Sequence, residues 1–174
     1  MTIDLYDATV PHFLQLLGSL RGVLDKGLEH AHAAGVDPDT LVQARLVEDM
    51  FPLGLQIQRV ADHSRGALED VSKGAFTLPR QDAHDYAGLQ GLLRDAEAAV
   101  RGWTREAVNM LQGREVILDT GSRRTPFTAE AYLIYFSLPN FYFHGVTAYD
   151  ILRSKGVPIG KRDYLSRMRN TLGN

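Results

Sequence analysis

The sequence contains no cysteine, which excludes disulfides, thiolate nucleophiles and cysteine-based zinc sites. It lacks any apolar run of about 18 residues, so no membrane-spanning helix is expected. Its opening residues, MTIDLYDATV, show no basic stretch followed by an apolar one, and no secretory signal is expected. An excess of one charge is also missing. With 19 Lys and Arg against 21 Asp and Glu, the net charge of −2 gives no electrostatic case for a nucleic-acid partner. The signatures HExxH, GxSxG, GxGxxG after a strand and GxxxxGK[ST] do not occur. What is left is an ordinary globular composition, 44% hydrophobic and 23% charged over 174 residues, enough for one domain (1–174) and one core. A cytoplasmic protein is the expectation.

Four long apolar patterns follow a 3.6-residue period. The first is expected from Thr9, with Pro11 in its first turn, to Ala34, through Phe13, Leu17, Leu20, Leu24 and Leu28. The second is expected from Asp37-Pro38 to Lys73, through Leu46, Met50, Leu53, Ile57, Val60, Ala67 and Val71, with a bend at Pro52. The third follows Pro79 and runs through Leu89, Leu93, Val100, Trp103 and Leu111 to Gly113. Around Thr120-Gly121-Ser122 the period changes to β-branched residues, which predicts a short hairpin or ordered loop. The fourth runs from a Thr128 cap to Lys155, kinked by Pro139, and a last short helix is expected over Lys161 to Arg169. The expected fold is all-α, a four-helix bundle with a short insert between helices three and four.

Asn140 and His144, spaced i, i+4, share a helix face with Leu133, Phe136, Thr147 and Ile151, and so point towards the bundle interior. A buried imidazole needs hydrogen-bond partners. Such a histidine either orders the packing, or serves as a metal ligand or proton-transfer group. On helix two, Asp49, Gln56 and His63 recur every seven residues beside the apolar seam, which makes Gln56 and His63 the candidates to face His144. Asp49 and Asp62 read as the solvated border. His30 and His32 suit a helix C-terminus, and His12 and His84 stand alone. The basic residues Arg153, Lys155, Lys161, Arg162, Arg167 and Arg169 read as a solvated or dimer-facing tail.

The stretches FPLGLQIQRVAD and NFYFHGVTAYDILRSKGVPIGKRDYL resemble an uncharacterised family of about 170 residues within the DinB-like superfamily of four-helix bundles. Many DinB-like proteins hold a divalent metal on one histidine of helix two and an HxxxH pair of helix four. The resemblance places His144 on the second histidine of that pair, Asn140 on the first, and Gln56 near the helix-two position, with His63 as its rival. Neutral amides are weak ligands for zinc-like ions, so the resemblance implies a degenerate metal site and no resident metal cofactor.

Two functions follow as expectations. The first is a bundle that binds a small molecule in a polar pocket between helices two and four, formed by Gln56, His63, Asn140 and His144. The second is a metal-dependent or acid/base enzyme of the DinB-like thiol transferase or isomerase type, with His144 as its catalytic group. The resemblance further implies a homodimer, for which Trp103 on helix three is a candidate surface, and neither a nucleic-acid nor a membrane partner.

Overall fold

Asp4 starts the first helix, its carboxylate accepting the Asp7 N–H at 2.8 Å. This cap lies five residues before the expected one, so Pro11 stands inside helix α1 (Leu5–Ala33) and not in its first turn. The computed structural model describes residues 3–165 of the chain. Helix α1 buries Phe13, Leu17, Leu20 and Leu24, the predicted stripe, against helices α5 (Tyr86–Arg101) and α8 (Leu138–Ser154).

The second expected helix is two separate pieces. Helix α2 is only Asp39–Val42, and the chain then runs irregularly to Pro52. Leu46 is exposed and Asp49 lies in a turn, so neither belongs to a helical stripe. Pro52 does not bend a helix but precedes one. It occupies the N-cap of α3 (Leu53–Ala61) with an extended ψ of 166°, where its missing N–H costs nothing. A π-helical turn, Asp62–Gly66, joins α3 to α4 (Ala67–Lys73), and Gly74 ends this helix in the left-handed conformation at φ 75°. The third expected helix begins only at Tyr86 and breaks at Gly102–Trp103 before α6 (Arg105–Asn109). Trp103 packs partly buried against the core.

Strands β1 (Glu115–Asp119) and β2 (Arg124–Thr128) form the predicted hairpin, pairing antiparallel from Glu115↔Thr128 to Asp119↔Arg124. Gly121 supplies the positive φ of 81° that its turn requires. Thr128 caps the fourth helix through its hydroxyl, which accepts the Ala131 N–H at 3.3 Å. That helix is α7 (Ala129–Ala131), a π-helical stretch over Tyr132–Ser137, then α8. The π stretch lies just ahead of Pro139, which has no N–H to continue an α ladder. Short helix α9 (Lys161–Tyr164) follows; Arg167 and Arg169, expected at its end, lie outside the described residues. The architecture is an all-α bundle with a short hairpin insert. No helix among the described residues is long and apolar enough to cross a membrane.

Between α4 and α5 the chain forms a strap over residues 75–85 with no helix of its own. Helix-two side chains hold its backbone. Asp70 accepts the Thr77 N–H at 3.1 Å and the Tyr132 hydroxyl at 2.8 Å. The Gln58 amide pairs with Asp82 in both directions, donating at 2.7 Å and accepting at 3.1 Å. Arg59 donates to the Arg80 carbonyl at 3.2 Å. Where the strap ends, Tyr86 reaches across α1 and donates to the Leu24 carbonyl at 2.8 Å, close above Gly27. A methyl group on Gly27 would meet that buried hydroxyl directly. Gly27→Ala is therefore expected to lower stability by roughly 1–3 kcal/mol in urea denaturation, with Tyr86→Phe in the same chain recovering part of the loss.

Candidate functional site

His63 lies within the π turn of helix two. Ser64, the next residue, bonds back to the Val60 and Ala61 carbonyls at 2.7 and 3.2 Å, and His63, seven residues after Gln56 on the same face, is buried. Its ring stacks on that of His144, with centroids 5.8 Å apart and planes 9° from parallel. Phe136, from the π stretch of helix four, meets His63 edge-on at 5.4 Å. Both π segments thus contribute to one buried cluster, and such turns often occur at functional sites.

His144 lies 2.7 Å from Gln56 through Nδ1 and Oε1. The Gln56 Nε2 donates to the Phe51 carbonyl at 3.0 Å, which fixes the amide orientation and makes Oε1 the acceptor. His144 therefore carries its proton on Nδ1, leaving Nε2 as an acceptor. Burial pushes the His63 pKa down to about 4, with the charges of His144 and Arg59 acting in the same direction. His144 is also held at about 4, chiefly by burial and then by Arg59. Arg59 is itself buried and paired with Asp62 at 2.6 Å. Burial raises the pKa of the Asp62 and Asp70 carboxyls. Near neutral pH both imidazoles are uncharged.

Of the four residues expected at the site, three come together: Gln56, His63 and His144. Asn140 does not join them through its amide nitrogen, which donates to the Phe136 carbonyl one turn back, at 2.7 Å. It is only half-buried. Asp49 is exposed, away from any helix. His12 bonds the Tyr142 hydroxyl at 2.8 Å. His84 lines the strap cleft, and His30 lines a separate cavity with Lys155.

A cleft of about 260 Å³ lies between helix two and the strap. His63 stands in its wall beside Gln58, Asp62, Arg65, Asp70, Lys73, Phe76, Arg80 and Leu92. The cleft opens between helix two and the strap, and His63 links it to Gln56 and His144, which meet between helices two and four. The part played by Gln58, Arg59 and Asp70 could not be read from periodicity, because they act on a loop 7–24 residues away.

The donor set does not fit a metal ion. Gln56 Oε1 already accepts the His144 Nδ1 proton, and amide oxygens, that of Asn140 included, are weak ligands for zinc-like ions. Among the described residues no group of three or more His, Cys, Asp or Glu is placed to hold one.

Comparison with known proteins agrees with this bundle and adds no activity. The chain is similar over 97% of its length, with 30% identity and a TM-score of 0.84, to the crystal structure of a DinB family member protein from Shewanella denitrificans, 96% of which is covered. No curated protein matches. A family profile described as a domain of unknown function (DUF1993) matches residues 5–165. The chain belongs to this DUF1993 family, within the DinB-like four-helix-bundle superfamily.

Proposed function

We propose that the protein binds a small polar or amphipathic molecule in the strap cleft, with His63, backed by His144 and Gln56, in its inner wall. The observation that carries this reading is the stacked, buried imidazole pair, one ring of which lines a cleft of about 260 Å³. An uncharged His63 offers one donor and one acceptor, which suits orienting a ligand by hydrogen bonds. Around them the cleft mixes cations (Arg65, Lys73 and Arg80) with acids (Asp62, Glu69, Asp70 and Asp82), and so favours a neutral or zwitterionic ligand over a strongly charged one. Catalysis by His144 is the second reading, resting on its free Nε2 acceptor. A base held at about 4 is poorly matched to proton abstraction near neutral pH, which favours binding.

The depressed pKa values set a direction for stability. Between about 6.5 and 4 the unfolded chain binds protons that the buried imidazoles refuse, so stability falls as pH falls through this window. The loss is on the order of 3 kcal/mol for one histidine. Asp62 and Asp70, raised by burial, oppose it at the acid end. Urea denaturation at successive pH values should show the fall, and His63→Ala should flatten it.

For binding, thermal-shift screening with neutral and zwitterionic fragments is expected to yield compounds that stabilise the native chain but not His63→Ala. Backbone amides of the strap should shift in NMR spectra on addition of the same compounds. Hits that bind His63→Ala equally well would remove the cleft from the proposal.

A further inference from the structure

A second cavity lies where helices α1 and α8 end. Its volume is about 410 Å³, and it shares no lining residue with the strap cleft. Lys155 in its wall stands eleven residues beyond His144, about 16 Å along helix four. The size falls within that of small-molecule pockets, about 300–1,000 Å³. Buried Ala31 and Leu41 form the inner wall, and Ala34, Val36 and Ala44 extend it outward. The three alanines leave room that larger side chains would fill. Val36, 45% exposed, is apolar surface that a ligand there would cover.

The charge at this cavity has one sign. Lys155 and His30 line it, and among the described residues no Asp or Glu does. The His30 ring lies against Gly156, where a Cβ would stand 3.6 Å from Nε2, so the imidazole sits beside the residue that follows Lys155. Among the described residues neither side chain has a hydrogen bond or ion pair, and the Gln43 amide in the same wall has none either. A cation beside a helix end ordinarily answers the partial charge of its last carbonyls. Here those carbonyls already accept main-chain N–H groups from beyond each helix, Ala31 that of Val36 at 2.9 Å and Leu152 that of Val157 at 3.2 Å among them. The ammonium is left with its charge to offer.

We propose that this cavity is a second binding site, independent of the strap cleft, for an amphipathic monocarboxylate. The apolar body lies against Ala34, Val36 and Leu41, and the carboxylate meets the Lys155 ammonium, with His30 and Gln43 as further polar contacts. A cationic ligand would face Lys155 with no acid in the wall to offset it. A dianion such as phosphate would find too few donors and a wall that is mostly apolar. The strap cleft, with its mixed charges, selects for a different class of molecule.

The probe is phenylbutyrate, with phenylbutanol as its uncharged match. In amide NMR spectra the acid should shift Ala31, Ala34 and Ala44 and leave Thr77 and Asp82 of the strap unmoved. Phenylbutanol should bind about tenfold more weakly, the difference made by one charge-assisted hydrogen bond. Lys155→Ala should lose the same factor for the acid, and Lys155→Arg should retain the affinity. Ala34→Phe, at an exposed position, should fill the cavity and abolish the shifts with an unchanged helical circular dichroism spectrum. His63→Ala should bind the acid as the native chain does, which separates this site from the cleft. Shifts confined to the strap, equal binding of acid and alcohol, or full affinity in Lys155→Ala would each overturn the proposal, as would the absence of any shift.

Discussion

The buried carboxylate of Asp70 joins three stretches that are distant in sequence. One oxygen receives the Thr77 N–H and the other the Tyr132 hydroxyl, so helix two, the strap and the start of helix four meet at one side chain. Burial raises the cost of its charge, and these two donors offset that cost. The consequences reach outward. Thr77 fixes where the strap leaves helix two, and with it one wall of the cleft. Tyr132 opens the π stretch whose Phe136 meets the His63 ring. The shared carboxylate works beside main-chain bonds from Ala75 to Asp70 and from Phe76 to Ile117, which hold the start of the strap at the same end.

The two π segments act on the same cluster from opposite sides. Seven residues after Gln56, His63 lies on the same side of helix two, and the π turn Asp62–Gly66 surrounds it. Its ring lies flat against that of His144. On helix four the adjustment comes ahead of Pro139, and the residues beyond it resume an ordinary α-helix with His144 facing inward. The pair thus sits beside two local departures from regular geometry.

Much of the bundle was legible because burial follows period. Phe13, Leu17, Leu20 and Leu24 on one helix, and Leu89, Leu93 and Val100 on another, are in the core as their spacing predicts. Gln56 and His144 were legible as facing residues for the same reason. Pro52 misled because Leu46 and Met50 continue the helical spacing across what is a loop; the proline begins a helix there and bends none. The strap was illegible for a different reason. Its hydrogen bonds go to backbone atoms, and no residue within it advertises a partner on helix two. Asn140 shows the limit of spacing, since a shared face with His144 does not decide whether an amide reaches across the bundle or bonds to its own helix.

The way the strap is held has a consequence for its descent. Thr77, Arg80 and Asp82 are tied through main-chain N–H and C=O groups, by Asp70, Arg59 and Gln58 of helix two. The strap's course is therefore encoded outside the strap. Its own side chains, Leu78, Arg80 and His84 among them, can be exchanged without loosening the tether, and these same side chains line the cleft. Such a division lets related chains change what they recognise by substitution in one loop while the bundle beneath stays the same, so diversity across homologues should concentrate in the strap and constancy in the three residues that hold it.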